Sequence, residues 1–139
     1  MDLELKYYNQ KGVWDAYSKN TNEIARAREV VSCIPDDVKT VLDIGCGNGK
    51  YLVFLKSLGF KTDGIDSSPT AVEMTKEALN DDSNVLLTDM YEYDFPKEQY
   101  DLVISIAAIH HGLKAQVRRT IKQIYTALLS GGIFFCYFA

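Results

Sequence analysis

Residues 40–58, TVLDIGCGNGKYLVFLKSL, constrain the fold more than any other part of the chain. A short apolar, β-prone run leads into glycines at every second position, Gly45, Gly47 and Gly49. An apolar helix-forming stretch follows and is stopped by Gly59. A strand that passes into a helix through a bare loop is the front half of a βαβ unit. Glycines in such a loop allow a backbone to come very close to a ligand.

The alternation continues downstream. KTDGID reads as a second strand with Asp66 at its end. Ser67, Ser68 and Pro69 are helix-start residues, and TAVEMTKEALN is the helix. NVLLTD reads as a third strand, MYEYDFPKEQ as a loop, and YDLVISIA as a fourth strand that is almost continuously apolar. QVRRTIKQIYTALL is an amphipathic helix capped by Ser130-Gly131-Gly132, and IFFCYFA is a fifth strand. Upstream, residues 12–34 place Ile24, Ala27, Val31 and Ile34 at helical spacing until Pro35 ends the pattern.

Strands alternating with helices predict an α/β fold, a doubly wound and mainly parallel sheet. The 139 residues suit one domain, with an N-terminal helical segment (1–38) and a ligand-binding α/β core (39–139). Ligands of such sheets sit beyond the carboxyl ends of the strands, at the switch point. The glycine loop, Asp66, Asp89 and the pair His110-His111 all fall there.

Composition removes several function classes. A net charge of −4 is not the footprint of a generic nucleic-acid binder. Apolar runs fall far short of the ~20 residues that span a bilayer, so no membrane role is expected. The opening MDLELKYYNQ has no apolar signal core, which makes the cytoplasm the expected location. Three widely spaced cysteines, Cys33, Cys46 and Cys136, form no metal-binding pair and no disulfide framework.

Two nucleotide loops fit poorly. A dinucleotide loop wants a third glycine at position 50, where Lys50 stands, and no G-K-[ST] phosphate loop occurs. The run DIGCGNGK, with Asp43 ahead of the glycines, resembles motif I of the class I S-adenosylmethionine (SAM)-dependent methyltransferases. The chemistry is consistent. SAM carries a carboxylate that suits the following helix N-terminus, and an ammonium that suits Asp43. Asp66, 17 positions after Gly49, matches the acid that this family uses for the ribose hydroxyls. Asp89 and Met90 match the residues that read the adenine amino group and pack on its ring. DFPKEQYDLVIS and LLSGGIFF are similar to the family's fourth and fifth strand entries. The resemblance covers roughly residues 40–139 and implies a Rossmann-like fold. It also implies a SAM pocket, vacated as S-adenosylhomocysteine, in which Gly45, Cys46, Gly47, Asn48, Gly49, Ser67 and Ala107 take part.

SIAAIHHGLKAQVRR narrows the resemblance. Ser105, Ile106, Ala107, His110, His111, Arg118 and Arg119 are similar to a run in the tRNA methyltransferases that esterify 5-carboxymethyluridine at the wobble position. Gly112 departs from that pattern. The resemblance implies a tRNA acceptor, with Arg118 and Arg119 at its phosphates and His110 or His111 aligning it. A histidine would act as base only for a hydroxyl or amine acceptor, since a carboxylate is already ionised at pH 7. A small-molecule methyltransferase and a non-catalytic SAM-binding partner subunit are the competing readings. Aromatic residues Tyr7, Tyr8, Trp14 and Tyr17 are suited to lid the pocket or to pack on the core.

The family usually has seven strands, and IFFCYFA would be the fifth. An apolar edge strand of this kind invites pairing. With the last two strands apparently lacking, the chain is expected to be a fragment, a natural truncation, or a protein whose edge is covered by a second copy or a partner subunit.

Overall fold

The computed structural model describes residues 29–80 and 84–138. Ile24, Ala27, the aromatic residues Tyr7, Tyr8, Trp14 and Tyr17, and most of the 12–34 helix lie outside the described residues. A helical end at 29–32 is described, and its Val30 is buried.

Strand β1 (Thr40–Ile44) leads through the glycine loop into helix α1 (Lys50–Ser57). Strand β2 (Lys61–Asp66), helix α2 (Pro69–Ala78) and the three-residue strand β3 (Val85–Leu87) follow. Strand β4 (Tyr100–Ile106), a 3-10 turn (Ile109–His111), helix α3 (Lys114–Ala127) and strand β5 (Leu128–Tyr137) complete the order. The strands form one sheet in the order β3-β2-β1-β4-β5. Every pairing is parallel. This is the doubly wound α/β sheet expected, and five strands are present among the described residues.

Burial explains why these segments are strands. Val41, Leu42 and Ile44 of β1 are all buried, as are Leu102, Val103 and Ile104 of β4. A strand covered on both faces needs apolar residues at every position, not alternation. Leu42, Ile44 and Val103 join Ile124 and Ala127 of α3 in one core cluster. Val41, Leu102 and Ile104 join Val30 and the α1 residues Tyr51 and Leu55 in the other. A third cluster, Cys46, Leu52, Val72, Leu79 and Val85, joins α1, α2 and β3.

Helix ends follow local chemistry. The Ser68 hydroxyl accepts a hydrogen bond from the Ala71 amide at 3.2 Å, and Pro69 occupies the first helical position, where its missing amide costs nothing. Gly59 adopts a left-handed φ of 95° just past α1.

Three expectations are corrected. Helix α3 begins at Lys114, ahead of the QVRRTIKQIYTALL segment, and Leu128-Leu129 belong to the strand. Ser130-Gly131-Gly132 does not cap the helix, because Leu128 is already extended (ψ 139°) and pairs with Tyr100. These residues form a bulge inside β5, across which the register jumps from Tyr100–Leu128 to Leu102–Ile133. Gly131 takes a φ of 81°, and a Cβ at Gly132 would lie 2.8 Å from the Leu129 carbonyl oxygen. Third, β3 stops at Leu87, so Asp89 and Met90 stand in the loop beyond it. As an edge strand, β3 leaves Leu86 and Leu87 exposed. At the opposite edge, β5 is half-buried from Ile133 to Tyr137.

Gly64 sits where α1 presses closest on the sheet. A Cβ there would lie 2.6 Å from Leu52 Cδ1 and 3.2 Å from Cys46 Sγ. Gly64→Ala is expected to destabilise the fold by about 1–3 kcal/mol through overpacking, read as a lower urea midpoint with an unchanged m-value.

Candidate functional site

The sheet order changes direction at β1, with β2 on one side and β4 on the other. In doubly wound sheets this switch point, beyond the carboxyl ends of the strands, is where ligands bind. In register, Asp43 lies between Gly64 of β2 and Ile104 of β4. One residue later the chain turns into the glycine loop.

The loop is held by its own backbone and by one carboxylate. The amides of Gly45 and Cys46 both donate to the Ile65 carbonyl, at 2.8 and 3.0 Å. Gly45, Gly47 and Gly49 have φ values of 73°, 57° and 82°, a region that side chains disfavour. Asp66 Oδ2 accepts from the Gly47 amide and Oδ1 from the Ser68 amide, both at 2.9 Å. Asp66 thus ties the loop to the start of α2. From α2 the Thr75 hydroxyl donates to the Gly47 carbonyl at 2.7 Å and lies 3.8 Å from Cys46 Sγ. The Asn48 side chain accepts from the Lys50 amide, and Gly49 leaves the N-terminus of α1 without a side-chain cap.

The electrostatics of this end are acidic. Asp43 is 1% exposed, and its Oδ2 has no hydrogen-bond partner among the described residues. Burial, and secondarily the Asp66 charge, push its carboxyl well above the ordinary carboxylate range. Burial also raises Asp66, against the downward pull of its amide donors. The Cys46 thiol is pushed up by burial and by both carboxylates, which makes it a packing residue and a poor nucleophile. Two neighbouring acids beneath a bare loop suit a ligand group that is cationic or rich in hydroxyl donors. They oppose a pyrophosphate.

The opposite wall comes from the ends of β3 and β4. A Cβ on Gly45 would lie 2.7 Å from Ala108 Cβ and 3.4 Å from the Met90 methyl, so both residues close on the loop. Ala107 has a φ of 53°, its amide donates to the Tyr137 carbonyl at 2.8 Å, and its carbonyl meets His111 Nε2 at 2.9 Å. The His110 ring stacks on His111 with centroids 4.4 Å apart and meets Phe138 edge-on at 5.5 Å. Buried Ser105 accepts from the Ile109 amide at 3.0 Å and starts the 3-10 turn.

Asp43, the glycine loop, Asp66, Met90 and the Ala107 turn therefore meet at one end of the sheet. Ser67 is exposed at its rim. Asp89 is also exposed, and its Oδ1 accepts from the Tyr91 amide at 2.8 Å. Arg118 and Arg119 lie apart on α3. With Lys114 and Lys122 they line a shallow depression of about 680 Å³ that includes none of the loop residues. Arg119 Nη1 donates to the Tyr91 carbonyl at 2.6 Å, a backbone contact that its assignment to substrate phosphates did not anticipate.

Three supporting residues carried no assignment or only a weak signal. Thr75 is a polar residue on the buried stripe of α2, a placement that periodicity shows. Ser105 is marked in the sequence only by the resemblance of its run, without a role, and the structure shows it as a buried hydroxyl near a strand end. Tyr91, in an aperiodic loop, has no sequence signal. Its hydroxyl donates to the Ile109 carbonyl at 2.9 Å. No cluster of three metal-ligating side chains occurs among the described residues, and no described helix is long and apolar enough to cross a membrane.

Comparison with known proteins agrees with this geometry. A family profile described as "Methyltransferase domain" matches residues 41–132. A tRNA (carboxymethyluridine(34)-5-O)-methyltransferase of Saccharomyces cerevisiae is 33% identical over 96 residues, which are 66% of this chain and 32% of that protein. An 18S rRNA (guanine-N(7))-methyltransferase of Bos taurus is 33% identical over 140 residues, covering 91% of this chain and 47% of that protein. The chain thus spans less than half the length of either relative. A solved complex of the Haloferax volcanii Trm112 methyltransferase activator with a putative methyltransferase superposes with a TM-score of 0.81 at 24% identity, covering 98% of this chain and 60% of that one. The bare loop, its two acids and these matches together place the chain in the methyltransferase-domain family, whose methyl donor is S-adenosylmethionine.

Proposed function

We propose that this chain is a SAM-dependent methyltransferase domain whose acceptor is tRNA, with the carboxymethyl group of a wobble uridine as the methylated site. The buried Asp43 carboxylate, one oxygen lacking a partner among the described residues, carries the cofactor half of the reading. It matches an α-ammonium group placed beneath the glycine loop. Asp66 stands where ribose hydroxyls would donate to it, and the amides of Gly47 and Ser68 already orient its two oxygens. Gly45 leaves room between the loop and Met90, whose side chain offers an apolar surface to an adenine ring. When bound, SAM supplies an electrophilic methyl group on a sulfonium.

The acceptor half rests on the yeast relative and on α3. Helix α3 carries Lys114, Arg118, Arg119 and Lys122 and no acidic residue, although the chain as a whole is acidic. Lys114, Arg118 and Lys122 recur every four residues and share one face, which suits a row of phosphates. A carboxylate acceptor needs no base, only alignment and partial desolvation. His110 and His111, stacked beyond β4, then form a wall that orients the acceptor. The archaeal neighbour was solved with an activator, and the same reading gives this chain a protein partner and a place with its tRNA in the cytoplasm.

The deciding assay offers labelled SAM with tRNA bearing 5-carboxymethyluridine and, separately, with tRNA lacking it. Transfer of base-labile label only to the first is expected; label in small metabolites and not in tRNA would refute the acceptor. Reversing Arg118 and Lys122 to Glu should reduce tRNA affinity and flatten its salt dependence while leaving S-adenosylhomocysteine binding unchanged.

Two substitutions test the cofactor half by calorimetry and thermal unfolding. Asp66→Ala is expected to weaken S-adenosylhomocysteine binding by about 1.5–3 kcal/mol. Asp43→Asn should also weaken binding, yet raise the melting temperature of the ligand-free protein at neutral pH. The wild-type carboxyl has a folded-state pKa above its unfolded one, so its ionisation opposes folding at high pH; the penalty starts to shrink as pH falls through the raised value and is gone once pH reaches the ordinary carboxylate range. The stability advantage of Asp43→Asn should therefore shrink on acidification, beginning above the ordinary carboxylate range. A constant difference across pH would refute the assignment.

A further inference from the structure

We infer that Tyr91 is a positioning residue that couples cofactor binding to the histidine turn on the acceptor side. The inference rests on the cofactor reading above but not on the identity of the acceptor.

Tyr91 lies in the loop beyond β3 and is bonded to the turn beyond β4 and to α3. Its amide donates to Asp89 Oδ1 at 2.8 Å, and its carbonyl accepts from Arg119 Nη1 at 2.6 Å. Its hydroxyl reaches across to the Ile109 carbonyl at 2.9 Å, the first residue of the 3-10 turn. The ring fills the space over Gly112, where a Cβ would lie 2.5 Å from the ring carbon Cζ. Any side chain at Gly112 would expel the ring, which gives a physical reason for glycine there.

On one side, Tyr91 adjoins Met90, whose methyl closes on Gly45 and whose carbonyl is 3.5 Å from the Thr120 hydroxyl of α3. On the other side is the turn that carries His110 and His111, itself tied back through Ser105 and the Ala107 carbonyl. A ligand that settles on Met90 and Asp89 must fix Tyr91, and the Tyr91 hydroxyl then holds the turn. Arg119 clamps the same residue from α3. Its contact is therefore with the positioning loop, and Arg118 and Lys122 remain for a polyanion.

Tyr91→Phe isolates the link, since it deletes one hydroxyl and keeps the ring over Gly112. The probe is S-adenosylhomocysteine, with binding followed by calorimetry and local opening by amide hydrogen exchange. In the wild type, saturating ligand should slow exchange at least about fivefold in the glycine loop and in residues 107–112. In Tyr91→Phe the ligand should bind within about threefold of the wild-type affinity and protect the glycine loop equally, while its added protection of residues 107–112 falls below about twofold. A purely structural role for the hydroxyl would lower protection alike with and without ligand and leave the ligand-induced increment intact; that result would overturn the coupling. So would a wild type that binds ligand without protecting residues 107–112. Failure of the wild type to bind S-adenosylhomocysteine at all would instead overturn the cofactor reading, and the coupling with it.

Discussion

The carboxylate of Asp66 is the contact on which this end of the molecule depends. A parallel sheet delivers strand ends side by side but does not specify how the loops beyond them sit. Asp66 accepts from Gly47 of the first loop and from Ser68 at the start of the second helix, both at 2.9 Å. Hydrogen bonds to an ionised acceptor are the stronger kind, so two loops are fixed by one side chain. The Ile65 carbonyl, one residue earlier, takes the Gly45 and Cys46 amides. Two consecutive residues of β2 thus shape the loop that follows β1.

This arrangement sets function against stability. Burying Asp43 beside a second acid raises the cost of its charge, and nothing among the described residues satisfies Oδ2. A fold selected only for stability would place an amide or an apolar residue there. Folding therefore leaves this carboxylate uncompensated, a cost that a cationic group placed against it would relieve. Well-packed surroundings make this tolerable. Leu42, Ile44 and Ile104, fully buried in β1 and β4, flank the acid along the chain and in register.

Most of the sheet is legible in the sequence because strands buried on both faces are apolar along most of their length, as in TVLDI and YDLVISI. The glycine loop and its acids were legible for a different reason: positive φ demands glycine, and a strand end brings a residue to the site whatever follows. The end of α3 is not legible, because Leu128 and Leu129 continue the helical apolar pattern and Ser130-Gly131-Gly132 has cap chemistry. Pairing of Leu128 with Tyr100 overrides both. The reach of NVLLTD was overestimated because β3 is an edge strand with one neighbour to hold it. Tyr91 is invisible in the sequence since its partners, Ile109 and Arg119, are 18 and 28 positions away and both bonds are accepted by backbone carbonyls. The Arg119 contact with the Tyr91 carbonyl is equally silent in the sequence, where only its charge shows.

The strand order has a consequence for how the chain is made. β1 is the central strand, yet its two neighbours arrive at very different times. β2 follows it closely, whereas its other partner pairs Val41 with Leu102. At synthesis rates of about 5–20 residues per second, one side of β1 waits roughly 3–12 s for β4 to emerge. During that interval Val41, Leu42 and Ile44 border an unpaired backbone edge with no α3 to cover it. Closing so long a loop is also the slow step expected of a non-local topology. The nascent chain is therefore most vulnerable to misassociation between the completion of β1 and that of β4, and the residue that ends the hazard is the one that completes β4.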